Sequence, residues 1–209
     1  PYLYLLDFGL AKRYRDEHTH IHIPLKENQP LRPLSPYAVA RVAQEQLSRV
    51  FSDAYNLNIV LTRSFNHIGP RQDQRFVVPS FIKRILDIKA SGKTHGIIET
   101  GDTSIVRDFV DVRDVVRAYY MLLMNGRSGE VYNICSGRPL ELKRLINMIS
   151  NQVGIEIDTK INPDFVRPND NPVIVGSPYK IESEIGWYPE ISMNSTIADM
   201  ISYMEGDKE

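Results

Sequence analysis

A short β-branched run, Ile59-Val60-Leu61-Thr62, directly follows a segment with the periodicity of a helix. In that segment apolar residues recur at helical spacing, at Val39, Ala43, Leu47, Val50, Phe51 and Ala54. A strand with little polar character is typically buried on both faces, as in a parallel sheet between two layers of helices. The two patterns together predict an α/β fold with three layers.

Similar patterns continue to the end of the chain. Further strands are predicted at residues 2–6, 97–99, 130–135 and 155–161. Helices are predicted from residue 76 and at 111–124, 139–153, 180–185 and 196–204. Ligands of open α/β sheets bind at the carboxyl ends of the strands, so a site is expected in the loop after Thr62.

Composition excludes several classes of protein. The chain has 209 residues, 42% of them hydrophobic, and a net charge of −1, so it can bury a core and has no global attraction to nucleic acid or anionic membranes. No apolar run is long enough to span a membrane, and the first residues lack the pattern of a signal peptide. The single Cys135 cannot form an internal disulfide. These features predict a soluble cytoplasmic protein.

Tyr37 and Arg41 stand four residues apart at the start of the first predicted helix, where Pro36 suits the first turn and Ser35 a capping position. One helical turn brings the phenol and the guanidinium onto the same face. A cation beside a phenol stabilises the phenolate, which favours proton exchange near neutral pH. The pair is therefore a candidate acid–base site, and the alternative is an ordinary surface pair.

Four segments carry a resemblance to a known family. They are residues 30–39, residues 62–70 (Thr-Arg-Ser-Phe-Asn-His-Ile-Gly-Pro), residues 106–114 (Val-Arg-Asp-Phe-Val-Asp-Val-Arg-Asp) and residues 129–134. From about residue 27 onward the chain resembles extended short-chain dehydrogenases/reductases that act on nucleotide-diphosphate sugars. It is similar in particular to the GDP-6-deoxy-4-keto-mannose reductases and the GDP-mannose 4,6-dehydratases.

The resemblance implies a domain organisation and an activity. Residues 30–209 would be the carboxyl-terminal two thirds of such an enzyme, a Rossmann-like remainder interleaved with a smaller α/β substrate lobe, and residues 1–29 a separate or altered segment. The implied activity is NADP- or NAD-dependent reduction or dehydration of a GDP-linked deoxyhexose. Tyr37 would donate the proton to the keto oxygen. Arg41 stands where the family has the lysine of Tyr-x-x-x-Lys, and a guanidinium supplies charge but no proton relay.

The resemblance also implies binding residues. Ser64 and Phe65 would lie against the nicotinamide, and Asn66 would bind the pyrophosphate or the sugar, unless it only stabilises its turn. Val77 would cover the nucleotide base, and Lys83 would approach the diphosphate. Two arginines match the family's phosphate-binding positions, and the alternative for each is an exposed arginine in a surface ion pair; they are Arg107 and Arg167.

The first segment departs from the family. Its Asp7-Phe8-Gly9 and the residues that follow resemble the magnesium-binding segment of casein-kinase-1-type protein kinases, but no glycine-rich loop, strand lysine or His-Arg-Asp motif precedes them. We therefore expect residues 2–6 to form an inner strand of the sheet, and the kinase-like stretch to be a loop or a fusion product. The family's catalytic Ser or Thr would fall near Lys12 and Arg13, where no hydroxyl stands, and Thr19 is the nearest candidate.

Three further expectations concern ligands and partners. His18, His20 and His22 alternate as metal ligands on a strand would, but a polar loop is the expected alternative, and no metal is predicted. The family's Gly-x-x-Gly-x-x-Gly cofactor motif is not in this sequence. The chain is thus expected to be a fragment or fusion of a longer enzyme, or an inactive protein that retains at most nucleotide-sugar binding. The resemblance also implies a homodimer formed through the Tyr37 helix and its neighbour.

Overall fold

The computed structural model describes residues 3–7 as backbone and residues 24–31, 33, 36–166 and 171–206 in full. These residues separate into two compact units. The first unit is drawn from residues 1–67, 107–139 and 173–190, and the second from residues 68–106, 140–172 and 191–209. The kinase-like stretch after Asp7 and the three alternating histidines lie outside the described residues.

Strands and helices alternate along most of the chain. The strands are β1 Leu3–Asp7, β2 Asn58–Ser64, β3 Asn66–Ile68, β4 His95–Thr100, β5 Val106–Asp111, β6 Val131–Ile134, β7 Pro139–Glu141, β8 Glu156–Ile161 and β9 Val173–Ile174. The helices are α1 Pro36–Tyr55, α2 Val77–Ala90, α3 Val112–Asn125, α4 Leu142–Val153, α5 Tyr179–Ile185 and α6 Met193–Glu205, with a 3₁₀ turn at Pro163–Phe165. Among the described residues, no helix combines the length and the apolar character needed to cross a membrane.

A parallel sheet with strand order β1-β2-β6 forms the centre of the first unit. Successive side chains of a strand point to opposite faces. Ile59 and Leu61 accordingly pack with Val42 of α1, whereas Val60 packs with Leu122 and other residues of α3. Helices therefore cover both faces of the sheet, as the apolar run in β2 predicts. Within the described sheet β2 is the central strand and β1 pairs with it on one side, and an inner position of β1 in a wider sheet stays a prediction.

A second sheet has the strand order β3-β5-β7, and β9 also pairs with β5. Residues Pro139–Glu141 belong to this sheet as β7, so the helix predicted from Pro139 begins only at Leu142. A proline suits the first turn of a helix, but it also fits an extended strand at a sheet edge. Pairing with β5 decides between the two here.

The second unit contains a parallel pair of strands, β4 and β8, together with α2, α4 and α6. The apolar stripe of α4 is buried, with Leu145, Ile146 and Ile149 fully covered. The helix ends at Gly154, whose φ of 80° is the left-handed conformation that favours glycine after a helix. The helix predicted at 139–153 and the strand predicted at 155–161 are therefore both present, and the helix begins at Leu142 rather than at Pro139.

Candidate functional site

Helix α1 positions the predicted acid–base pair. Pro36 is its first residue, which suits a ring that cannot donate a backbone hydrogen bond. Arg41 Nε donates to the Tyr37 hydroxyl at 3.0 Å, and the guanidinium carbon lies 5.0 Å from the centre of the phenol ring. Arg41 Nη1 also donates to Gln44 Oε1 at 3.0 Å, which fixes the guanidinium along the helix. A permanent cation is therefore held at the oxygen of an exposed phenol.

The carboxyl end of β2 carries the next predicted residues. Ser64 is buried, and its hydroxyl lies 2.9 Å from the hydroxyl of Tyr119 on α3. Phe65 is buried as well and packs against Leu25, Cys135 and Ile174. The end of the strand is thus rigidly held, with a hydroxyl pair directed toward α3 and an aromatic ring packed in the core.

Asn66 contacts the strand β5. The Asn66 side-chain Nδ2 donates to the main-chain carbonyl of Asp108 at 3.1 Å. Arg107 is the residue before Asp108 on this strand and is half-buried. The hydrogen bond therefore attaches the Asn66 amide to the strand that carries Arg107, within the first unit.

The other predicted residues lie elsewhere. Val77 is the first residue of α2 and is 39% exposed, and Lys83 on the same helix forms an ion pair with Asp87 one turn later. Both belong to the second unit. Arg167 lies outside the described residues. Across the part of the chain that the structure describes, no three His, Cys, Asp or Glu side chains are grouped to hold a metal ion.

A buried ion pair, which the sequence did not reveal, ties α1 to β2. Glu45 and Arg63 are almost fully covered, and Arg63 Nε and Nη2 donate to the two Glu45 oxygens at 2.9 and 2.7 Å. Burial alone would raise the pKa of Glu45, but the hydrogen bonds and charge of Arg63, helped by Arg49, hold that pKa below its usual range. The available signal was an arginine directly after the apolar run of β2.

Asp108 is a second functional candidate that sequence reasoning passed over. Its side chain is fully buried, and burial raises its pKa even though Ser136, Gly137 and Gly176 donate hydrogen bonds to it. Nearby Cys135 is also fully buried, and burial together with the charge of Asp108 raises the pKa of its thiol well above the usual range. The signal for Asp108 was a carboxylate within a predicted strand segment, between Arg107 and Phe109.

Comparison with known proteins places this geometry in a family. Residues 19–200 match the GDP-mannose 4,6 dehydratase family. Over 183 residues the chain is 33% identical to GDP-6-deoxy-D-mannose reductase from Pseudomonas aeruginosa. The aligned region covers 88% of this chain and 60% of the reductase. The chain therefore spans less than two thirds of the length of that relative.

Two solved structures share the fold. RMD from Pseudomonas aeruginosa, in complex with NADPH, superimposes with a TM-score of 0.85 at 30% identity, covering 99% of this chain and 67% of RMD. UDP-glucose 4-epimerase from Thermus thermophilus, in complex with NAD, gives a TM-score of 0.78 at 27% identity, covering 98% of this chain and 63% of the epimerase. They confirm the predicted α/β, Rossmann-like fold. The family match extends over most of the residues, and the chain belongs to the GDP-mannose 4,6 dehydratase family of short-chain dehydrogenases/reductases.

Proposed function

We propose that this chain binds a GDP-linked sugar and takes part in its reduction or dehydration, with NADP or NAD as the cofactor. The observation that carries the proposal is the hydrogen bond from Asn66 to the carbonyl of Asp108, because it holds a candidate substrate-binding amide on β5, the strand that also carries Arg107. Amide and guanidinium groups are the donors that a diphosphate and a sugar require. The names of the family and of its Pseudomonas relative support GDP as the nucleotide.

Each substrate-binding residue then has a role. Arg107 binds a phosphate oxygen pair through its planar guanidinium, and Asn66 binds the pyrophosphate or a sugar hydroxyl. Arg167 supplies a second guanidinium in the family pattern. Val77 and Lys83, which lie in the second unit, keep the roles that the resemblance implies, at the base and at the diphosphate, and Lys83 would give up its contact with Asp87. An exposed ion pair of this kind contributes little stability, so the exchange costs little.

The catalytic role falls to Tyr37. Its hydroxyl donates a proton to a keto oxygen of the sugar, and Arg41 Nε, 3.0 Å away, donates a hydrogen bond to the oxygen that remains. Arg41 retains its own proton, so the phenolate is reprotonated by solvent rather than by this side chain.

The chain's residues fit the nicotinamide end of a cofactor. Tyr37 and Arg41 present a phenol and a cation for the ribose hydroxyls, and Ser64 and Phe65 form a buried strand end against which a flat ring packs. A bound nicotinamide supplies or accepts the hydride. The 209 residues contain no Gly-x-x-Gly-x-x-Gly loop, so these four side chains are the cofactor contacts that we assign to this chain.

We also propose that the chain forms a homodimer through α1. The apolar stripe of this helix is exposed, whereas Glu45 on another face is buried. The exposed stripe consists of Val39, Leu47, Val50, Phe51 and Tyr55, and the last two rings are stacked with centroids 5.4 Å apart. A contiguous apolar surface of this kind is typical of a protein interface.

Calorimetric titration with GDP-mannose tests the proposed substrate. We expect saturable binding by the unaltered chain, and at least about tenfold weaker binding by Arg107→Ala, since a lost charge-assisted contact of about 1.5 kcal/mol or more corresponds to that factor. Arg75→Ala is the matched control, because Arg75 is an exposed arginine paired only with Asp73 among the described contacts. Absence of GDP-mannose binding by the unaltered chain would refute the proposal. A parallel titration with NADPH tests the cofactor contacts.

A further inference from the structure

The carboxylate of Asp108 accepts four hydrogen bonds in the buried part of the first unit. Its Oδ1 accepts from the Ser136 backbone N–H at 2.8 Å and from the Ser136 hydroxyl at 2.6 Å. Its Oδ2 accepts from the backbone N–H groups of Gly137 at 2.9 Å and Gly176 at 3.1 Å. The side chain has no exposed surface, so these four donors replace water completely.

These contacts join segments that are far apart in sequence. Asp108 lies on β5, Ser136 and Gly137 follow β6, and Gly176 follows β9. The backbone of the same residue accepts the Asn66 amide, so β3 is attached as well. The carboxylate thus holds the turn after β6, while the carbonyl holds a side chain assigned to the substrate.

The backbone at Gly176 is packed so closely that no side chain would fit there. A Cβ atom built on Gly176 would lie 2.5 Å from Cys135 Sγ and 2.7 Å from Phe65 Cζ. The backbone at Gly176 therefore lies close to Cys135 and Phe65, the residues that follow β6 and β2, while its N–H donates to the Asp108 carboxylate. A displacement of Gly176 toward the sheet would meet Phe65, the neighbour of Asn66.

We propose that Asp108 is a positioning residue for the substrate: through its carboxylate and its carbonyl it fixes the turn at 136–138 and the Asn66 amide, and so orients Asn66. The link to the substrate rests on the function proposed above. Asp108 itself, being fully covered, touches neither substrate nor cofactor.

The substitution Asp108→Asn tests this with almost no change in shape. An amide has one acceptor oxygen, so either orientation of the asparagine loses two of the four hydrogen bonds and turns an NH₂ group toward N–H or O–H donors. Asp111→Asn is the matched control. Asp111 is a buried carboxylate on the same strand, and its described donors are the backbone and the guanidinium of Arg113.

Two measurements are made on each variant at a temperature where it is folded. Hydrogen exchange followed by NMR reports the amides of Ser136, Gly137 and Gly176 and the side-chain amide of Asn66, and calorimetry reports the GDP-mannose affinity. In Asp108→Asn we expect exchange at these positions to rise, and affinity to fall, by at least about tenfold. In Asp111→Asn we expect neither change. If Asp108→Asn does not fold, Ser136→Ala takes its place, because it removes only one hydroxyl donor to Asp108. We expect a smaller loss of GDP-mannose affinity in that variant.

The outcomes separate this inference from the proposed function. Unaltered GDP-mannose affinity in Asp108→Asn, or equal losses in Asp108→Asn and Asp111→Asn, would overturn the positioning role. If the unaltered chain does not bind GDP-mannose, the proposed function fails. The positioning of Asn66 is then decided by the exchange of its side-chain amide, and unchanged exchange in Asp108→Asn overturns it.

Discussion

Removal of Glu45 leaves a buried arginine without its counter-charge. Arg63 Nε and Nη2 lie 2.9 and 2.7 Å from the Glu45 oxygens, and the two side chains are 6% and 1% exposed. In Glu45→Ala, the carbonyl of Glu27, 3.0 Å from Arg63 Nη1, is the one acceptor that remains among the described contacts of this guanidinium. A neutral carbonyl does not compensate a buried charge.

The expected cost of Glu45→Ala is about 3–5 kcal/mol in the free energy of unfolding, the range for one partner of a buried ion pair. Arg49→Ala is the matched control, because Arg49 is 38% exposed and its contact with Glu45 measures 3.5 Å. Its loss is expected to cost about 1 kcal/mol. Replacement of both buried charges, in Glu45→Met with Arg63→Met, should recover most of the loss, since no unpaired charge is left.

Urea unfolding followed by tryptophan fluorescence measures these values. The only tryptophan, Trp187, is fully buried in the first unit, which also contains Glu45 and Arg63. The signal therefore reports the unit that is perturbed. A Glu45→Ala variant that loses no more stability than Arg49→Ala would refute the account of this ion pair.

The same pair predicts a pH dependence with a defined sign. The pKa of Glu45 is lower in the folded than in the unfolded chain, so the folded state is stabilised fully above the ordinary glutamate pKa of about 4.3. This stabilisation is lost as the pH falls through the lower, folded value. Stability of Glu45→Gln should be less dependent on pH in that range, and an equally steep loss in both proteins would contradict the assignment.

Three shorter predictions follow from burial and exposure. Cys135, whose thiol pKa is raised by burial and by Asp108, should react with a disulfide reagent far more slowly in the native than in the unfolded chain, and equal rates would contradict its burial. Gly176→Ala should lower the free energy of unfolding by about 1–3 kcal/mol in urea titrations, because the added Cβ meets Cys135 Sγ at 2.5 Å. Phe51→Asp should convert the proposed dimer to a monomer in analytical ultracentrifugation. Gln46→Asp, which changes an exposed polar residue of the same helix, should leave the dimer intact. A monomeric unaltered chain would exclude the dimer.

The sequence predicted what depends on local periodicity. The contact of Arg41 with Tyr37 follows from four-residue spacing on a helix, and the parallel strand β2 follows from its apolar run. The stripe on α1 was also visible, but periodicity alone does not say whether a stripe faces a core or another molecule. In the described structure that stripe is exposed, and the polar Glu45 is the buried residue of the helix.

What escaped prediction depends on pairing between distant segments. The partner of Asn66 is 42 residues away, that of Ser64 is 55 away, and the Ser136 donor to Asp108 is 28 away. No pattern in one sequence specifies such contacts. Similarly, Pro139 was assigned to a helix because a proline often begins one, whereas pairing with β5 makes it the start of a strand.

The most direct test of the proposed substrate site is NMR mapping of GDP-mannose binding on the isotopically labelled chain. We expect the largest amide shifts on Asn66, Arg107 and the turn at 136–138, and little change at His95 and Glu156, the first residues of β4 and β8. Shifts confined to those strands, or no shifts at millimolar GDP-mannose, would contradict the proposed substrate site.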